Sequence, residues 1–203
     1  MEKILQEIYS CRQCLAAGCD SVQPPPLFSG NLDAPLLIIG QAPGIEEFNQ
    51  KQPFVGSGGK RLFSWLKQAG LKEAWIREHT LIFQRYLCYP GKQPDGSGDR
   101  SPSSTQFDLC QPHLSRVLSL MTGLNLRLIL PVGRLAIDAF FPASKALEKI
   151  VGQRLKYSRA LVVPLPHPSG LSRWYQNQEH RALIYLALEM IRDLNLTSTP
   201  LPR

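Results

Sequence analysis

Residues 36–66 constrain the fold of this chain most strongly. A short apolar run at 36–39 is followed at once by the turn sequence GQAPG at 40–44. An apolar run bounded by turn residues is typical of a buried strand, and two glycines around a proline let the backbone turn sharply and approach a ligand closely. A second glycine-rich loop, PFVGSGG at 53–59, leads into a helical pattern. This arrangement either builds a site for a planar or anionic ligand in an α/β protein or is an ordinary strand-to-helix connection with a long loop.

The rest of the chain repeats this alternation of apolar runs and helical patterns. Further strand candidates lie at 80–87, 126–132 and 160–165, and helical patterns lie at 1–9, 60–71, 104–120, from 133 onward, and at 178–194. Strands separated by helices indicate a mainly parallel sheet that is covered on both faces. We therefore expect an α/β fold: a single three-layer domain over 1–195, with a central, mainly parallel four-stranded sheet flanked by helices, and a tail at 196–203.

A ligand site is expected at one edge of this sheet. Open parallel sheets bind ligands beyond the carboxyl ends of their strands. The first strand delivers the 40–44 loop, the second ends near Gln84, and the fourth delivers HPSGLSR at 167–173. We expect these segments to line one pocket.

The composition indicates a partner class and a compartment. A formal net charge of +7 favours a polyanionic partner, although many basic proteins bind none. No apolar run is long enough to span a membrane, and residues 1–20 lack the apolar stretch of a signal peptide. We expect a cytoplasmic monomer with no membrane partner.

Five cysteines in a reducing compartment indicate metal ligation or burial rather than disulfides. Cys11 and Cys14 form a CxxC pair, whose spacing lets two thiolates face one metal or cluster. Cys88 follows the second strand and Cys110 lies just inside the next helix, so they form a second pair and Cys19 is left over.

Taken together, these motifs resemble a known family. The order GQAPG, PFVGSGG, the two cysteine pairs and HPSGL is similar to that of the uracil-DNA glycosylase superfamily, and most similar to its iron–sulfur-containing family 4 type. The resemblance covers roughly residues 1–190. It implies a uracil-DNA glycosylase that hydrolyses the N-glycosidic bond of uracil in DNA for base-excision repair.

The resemblance also implies a cofactor. Its cysteine positions match Cys11, Cys14, Cys88 and Cys110, which would hold a [4Fe–4S] cluster, with zinc as the alternative that four cysteines also suit. Such a cluster would pin the N-terminal segment and the long loop after the second strand onto the sheet.

The resemblance further assigns roles in base flipping. Phe54 would stack on the flipped base, the backbone of Gly40, Gln41 and Ala42 would bind its carbonyl groups, Gln84 would read its edge, and His167 would donate a hydrogen bond to its O2 atom. Catalytic roles would fall to His167, Gln41 and Glu47. DNA contacts would come from Ser169, Gly170 and Arg173, with Leu171 as the wedge that fills the space of the flipped base.

Three positions depart from the family pattern. Gln41 stands where family 4 has Glu, Phe48 stands where an Asp follows Glu47, and Gln84 stands where the family has Asn. A neutral amide cannot take a proton from water. Besides a uracil-DNA glycosylase, the sequence therefore leaves open a catalytically silent DNA-binding relative and a glycosylase for another deaminated base.

Overall fold

The computed structural model describes residues 2–170 and 174–198, which form a central sheet between layers of helices. The strands are β1 (Leu36–Gly40), β2 (Thr80–Gln84), β3 (Leu128–Pro131), β4 (Leu155–Tyr157) and β5 (Ala160–Val162). The helices are α1 (Glu2–Tyr9), α2 (Gln13–Ala16), α3 (Ile45–Gln50), α4 (Ser57–Gln68), α5 (Glu73–His79), α6 (Ser104–Thr122), α7 (Arg134–Ile137) and α8 (Gln178–Asp193). Short 3₁₀ turns lie at Leu147–Lys149 and Trp174–Gln176.

The sheet is mainly parallel, as the sequence predicts. Its strand order is β2-β1-β3-β5-β4, and β1 pairs in parallel with both β2 and β3. All residues of β1, β2 and β3 are buried. Helical crossovers cover both faces of a parallel sheet, which is why these strands are largely apolar rather than alternating, with the buried polar residues Thr80 and Gln84 at the two ends of β2.

The sheet has five strands, not the four that the sequence predicts. The additional strand β4 pairs antiparallel with β5 at the edge of the sheet. Its Leu155 and Lys156 are exposed and its sequence is basic, so it carries neither the apolar run nor the alternation that marks a strand. It pairs because a tight turn, with Ser158 at φ +53°, folds it back on β5.

Alternate residues of β1 supply the two halves of the core. Leu37 and Ile39 belong to a cluster with residues of α1 and α6, whereas Leu36 and Ile38 belong to a cluster with residues of α4, α5 and α8. Each fully buried Leu or Ile side chain contributes about 1.5–3 kcal/mol. This division confirms the three-layer α/β architecture.

The functional edge follows from this topology. The carboxyl ends of β1, β2 and β3 lie side by side, and the chain after β5 reaches the same edge through a bridge between Val132 and Leu165. Within the described part of the chain, no helix is long and apolar enough to cross a membrane.

Candidate functional site

A cavity of about 500 Å³ opens at the carboxyl edge of the sheet. Its walls come from the loop after β1, the second glycine-rich loop, the end of β2, the segment after β5 and residues 99–102 of the long loop that precedes α6. The structure thus brings the residues predicted to bind substrate to one place: Gly40, Gln41, Ala42, Phe54, Gln84 and His167.

The floor of the cavity is formed by Gly40 and Gln84, which pair in register at the ends of β1 and β2. Gln84 is only 3% exposed, and its Oε1 atom has no hydrogen-bond partner among the described residues. A Cβ atom on Gly40 would overlap this oxygen and would lie 3.0 Å from the Cζ atom of Phe54. An unpaired buried acceptor costs about 1–3 kcal/mol. The oxygen therefore lies buried behind Gly40, without a protein donor among the described residues.

Phe54 is held in a left-handed turn at the cavity wall, with φ +56°. Arg77 of α5 donates to the carbonyl oxygens of Pro53 at 2.7 Å and of Phe54 at 3.0 Å. A Cβ atom on Gly59 would overlap the carbonyl oxygen of Phe54, so position 59, in the first turn of α4, requires glycine. Left-handed backbone costs a non-glycine residue about 1–3 kcal/mol, and Arg77 supplies the contacts that hold it.

Gln41 is tied to helix α7. Its Oε1 atom accepts a hydrogen bond from the backbone N–H of Leu135 at 3.1 Å, and its backbone carbonyl oxygen accepts one from the backbone N–H of Tyr86 at 3.0 Å. Gly133, at φ +87°, allows this approach, because a Cβ atom there would lie 2.8 Å from both Gln41 Oε1 and His167 Cδ2. Gln41 therefore joins the loop after β1 to the segment after β3.

Glu47 bridges the two glycine-rich loops. One carboxylate oxygen accepts from the N–H of Gly44 at 3.0 Å, and the other accepts from the N–H of Gly56 at 3.4 Å. Both oxygens keep a free lone pair, because each carboxylate oxygen has two. Glu47 thus holds the shape of the cavity, and its predicted catalytic role stays a prediction.

His167 lies in the cavity wall, and a hydrogen bond to its ring selects one tautomer. Its Nδ1 atom accepts a hydrogen bond from the N–H of Ser169 at 3.3 Å, so the proton of the neutral ring is on Nε2. Burial lowers the pKa of His167 below its ordinary value of 6.5. At neutral pH the ring is therefore an uncharged hydrogen-bond donor.

The long loop between β2 and α6 forms the wall that the sequence did not predict. Asp99 accepts from the hydroxyl of Tyr89 at 2.7 Å and from the N–H of Ile45 at 3.1 Å, and Arg100 follows it in the cavity wall. Phe48, which replaces the family's Asp, stacks on Tyr89 with 5.4 Å between ring centroids. These contacts join positions far apart in sequence, and a loop rich in Gly, Ser and Pro gives no local signal of them.

Four cysteines lie around a second, narrow cavity. Cys11, Cys14, Cys88 and Cys110 line it together with apolar side chains and with Arg12, Gln13 and His113, whereas Cys19 lies outside the lining. Burial raises the pKa of the Cys88 and Cys110 thiols to about 12. Across residues 2–170 and 174–198, no three His, Cys, Asp or Glu side chains are placed to hold a single metal ion. The four thiols thus share one cavity, and thiolates at such a site are ligands that both a [4Fe–4S] cluster and zinc accept.

The predicted DNA contacts fall partly within the described residues. Ser169 lies at the cavity wall, and Gly170 is exposed with open space around its α-carbon. Leu171 and Arg173 lie outside the described residues.

The fold and cavity define an α/β protein whose site lies at the carboxyl edge of a mainly parallel sheet. A family model described as the uracil DNA glycosylase superfamily matches residues 27–189, so the chain belongs to that superfamily. This finding confirms the resemblance drawn from the motifs, and it makes DNA the class of partner on which the family acts.

Three similar proteins are each named type-4 uracil-DNA glycosylase. The protein of Sulfurisphaera tokodaii is 25% identical over 97% of this chain and 86% of its own length. That of Archaeoglobus fulgidus is 30% identical over 70% of this chain and 63% of its own length. That of Thermotoga maritima is 28% identical over 76% of this chain and 75% of its own length.

Proposed function

We propose that this protein is a DNA glycosylase that flips uracil out of DNA and hydrolyses its N-glycosidic bond, as in base-excision repair. The observation that carries the proposal is the meeting, in one cavity, of the unpaired Gln84 oxygen, the Phe54 ring and the neutral His167. An acceptor, an aromatic face and an uncharged donor are the groups that a flipped uracil requires.

Gln84 would select the base by the edge it presents. Its Oε1 atom would accept a hydrogen bond from the N3–H of uracil, and its Nε2 atom would donate one to O4, so both polar atoms of the amide would contact the base. Cytosine has an acceptor at N3 and a donor at C4, so the same amide orientation would face it with like groups. Phe54 would stack on the base, and backbone N–H groups of Gln41 and Ala42 would bind its carbonyl oxygens.

His167 would act on the leaving base. As the glycosidic bond breaks, negative charge develops on the O2 atom of uracil, and the Nε2–H of His167 would stabilise it without transferring a proton. A neutral donor in a buried position suits this role because it needs no reorganisation during the reaction.

The sugar would be captured by water without help from a base at position 41. Glu46, Glu47 and Asp99 all line the cavity, and their negative charge would stabilise the oxocarbenium-like sugar. Glu47 and Asp99 keep lone pairs that can hold a water. As the oxygen of this water bonds to C1′ of the sugar, its proton would pass to the carboxylate of Glu47 or Asp99, and the departed uracil anion would take up a proton from solvent, so the step needs no base at position 41.

Cys11, Cys14, Cys88 and Cys110 would hold a [4Fe–4S] cluster. When bound, the cluster would supply a structural cross-link between the N-terminal segment, the chain after β2 and helix α6. The main DNA contacts would come from Ser169, Gly170, Leu171 and Arg173. The protein would act as a cytoplasmic monomer.

The test is cleavage of a labelled oligonucleotide that contains a single uracil, followed by alkaline treatment to break the abasic site. We expect wild type to cleave, and His167→Ala and Phe54→Ala to lose about a hundredfold or more in single-turnover rate. His79→Ala, which changes a histidine of α5 outside the cavity lining, is the matched control and should cleave as wild type does.

A panel of other bases separates the alternatives that Gln41 raises. Cleavage of hypoxanthine or xanthine in place of uracil would replace the proposed substrate. A shift in DNA mobility without cleavage of any of these bases, by folded wild type with its metal bound, would make the protein a silent DNA-binding relative.

A further inference from the structure

One peptide group lies between Arg61 and His167. Nη1 of Arg61 donates to the carbonyl oxygen of Pro168 at 2.8 Å. The N–H of the same peptide, at Ser169, donates to Nδ1 of His167 at 3.3 Å. The carbonyl and N–H of a trans peptide point in opposite directions, so the guanidinium and the imidazole bind opposite edges of one rigid plane.

Arg61 is itself held in place. It lies in α4, and its guanidinium carbon lies 5.0 Å from the ring centroid of Tyr175. Trp65, one turn further along α4, packs edge-on against the same ring at 5.8 Å. The hydroxyl of Tyr175 donates to the carbonyl oxygen of Ser169 at 2.9 Å, which belongs to the next peptide. The guanidinium of Arg61 is therefore held in one position beside the Pro168–Ser169 peptide.

This geometry has an electronic consequence for the imidazole. A cation that donates to a peptide carbonyl polarises the peptide and strengthens its N–H as a donor. A strong donor at Nδ1 opposes any proton there, so it favours the ring form that carries its proton on Nε2. Other charged side chains of the cavity wall are Glu46, Glu47, Asp99 and Arg100, but none of these forms a hydrogen bond with the ring of His167 in the described structure.

We propose that Arg61 is a positioning residue that acts through the Pro168–Ser169 peptide to fix the Nε2–H tautomer of His167. The tautomer follows from the fold alone, whereas its effect on DNA cleavage rests on the function proposed above. Arg61 thereby makes the ring a donor toward the leaving base without touching the base.

Nitrogen NMR of protein labelled with ¹⁵N-histidine tests the tautomer directly. The chain has four histidines, and His167→Ala identifies the signals of His167. We expect wild type to show a protonated Nε2 and an unprotonated Nδ1. Arg61→Met should move both signals toward a mixture of tautomers, and Arg61→Lys should restore the wild-type pattern in part because it keeps the charge.

Tyr175→Phe is the matched control. It removes a hydrogen bond from the same loop and keeps the ring that packs on Arg61, but the peptide it releases does not contact His167. It should leave both nitrogen signals unchanged. Wild-type signals in Arg61→Met would overturn the proposal, and if that variant does not fold, wild-type signals in Arg61→Gln would do the same.

Single-turnover kinetics measure the consequence for catalysis. Arg61→Met should slow uracil cleavage about tenfold or more. A mixed tautomer weakens the hydrogen bond from His167 to the leaving base, and that bond matters most in the transition state, where negative charge develops on the base. Its affinity for an oligonucleotide with a cleavage-resistant 2′-fluoro-deoxyuridine should stay within about twofold of wild type, since uniform binding is not changed. Weaker binding with an unchanged rate would make Arg61 a DNA contact and overturn the proposal. If wild type cleaves no base, the proposed function fails while the nitrogen signals still decide the role of Arg61.

Discussion

The side-chain oxygen of Gln84 lies against the backbone of Gly40, its register partner at the carboxyl ends of β2 and β1. β1 thus ends in Gly40, which has no side chain, and the side chain of Gln84 at the end of β2 occupies the space that this leaves. This close contact places a buried amide at the floor of the cavity and keeps its oxygen free of protein partners within the described structure.

Gly40→Ala should close this floor. The added methyl group would overlap the Gln84 oxygen and crowd Phe54, so we expect uracil cleavage to fall about a hundredfold and stability to fall by about 1–3 kcal/mol. Oligonucleotide cleavage and urea unfolding measure the two effects. Gly123→Ala, at the end of α6 and away from the cavity, is the control. Wild-type cleavage by Gly40→Ala would show that the amide does not form the floor.

Arg77→Met should loosen the turn that presents Phe54. The change removes hydrogen bonds to two carbonyl oxygens, and we expect a loss of about 1–3 kcal/mol in urea unfolding. It should also raise KM for uracil-containing DNA, because the left-handed turn is no longer held. Glu73→Ala removes the exposed ion-pair partner of Arg77 but leaves both carbonyl contacts, so it should change little. Equal effects of the two substitutions would contradict this role of Arg77.

Acid should destabilise the protein through two histidines. Burial lowers the pKa of His113 and His167 below 6.5, so the unfolded chain binds protons first as the pH falls. The free energy of unfolding should therefore decrease as the pH falls below 6.5, toward the lowered values of the folded state. Urea unfolding between neutral and mildly acid pH measures this slope.

The same protonation should reduce cleavage, because charged His167 has lost the neutral form that the fold selects. We expect the cleavage rate to fall on the acid side with a midpoint below 6.5. His113→Gln should reduce the pH dependence of the free energy of unfolding and leave the pH profile of cleavage unchanged, since His113 lines the cavity of the cysteines and not the cavity that contains His167. A cleavage midpoint that moves with His113→Gln would contradict the assignment to His167.

Cys110→Ser should release the metal. Removing one of the thiols around the shared space leaves a cluster with three protein ligands, so we expect iron and sulfide per chain to drop sharply and the brown colour to fade. Cys19→Ser, which changes the one cysteine outside the lining, should keep both. Zinc in place of iron in wild type, or equal loss in both variants, would contradict the proposed ligand set.

The sequence predicted the fold well because its core strands are local patterns. The apolar run at 36–39 and the largely apolar segment at 80–87 needed no tertiary information, since strands buried on both faces are mostly apolar. The additional strand β4 was not predicted, because it is short, basic and exposed. It pairs with β5 only because a turn folds it back. Helices α3 and α5 were also missed, because they lie within or just after glycine-rich and polar segments.

The sequence motifs identified the loops that line the cavity, but not the side chains that hold these loops in place. GQAPG and HPSGL contain Gly40 and His167, and a glycine-rich loop at a strand end is a local signal. Arg61, Arg77 and Asp99 carry no such signal, because each acts through hydrogen bonds to backbone groups that are 107, 23 and 54 residues away in sequence. Such contacts exist only once the chain has folded.

The long loop after β2 has one more consequence. It joins the end of β2 to the start of α6, two elements that pack in the core, and it supplies Asp99 and Arg100 to the cavity wall. Lengthening a loop between fixed ends is inexpensive, since each doubling costs only about 0.6 kcal/mol. Insertions and deletions here therefore alter the entrance and spare the floor, so a change of substrate range in such a chain requires no change in its core.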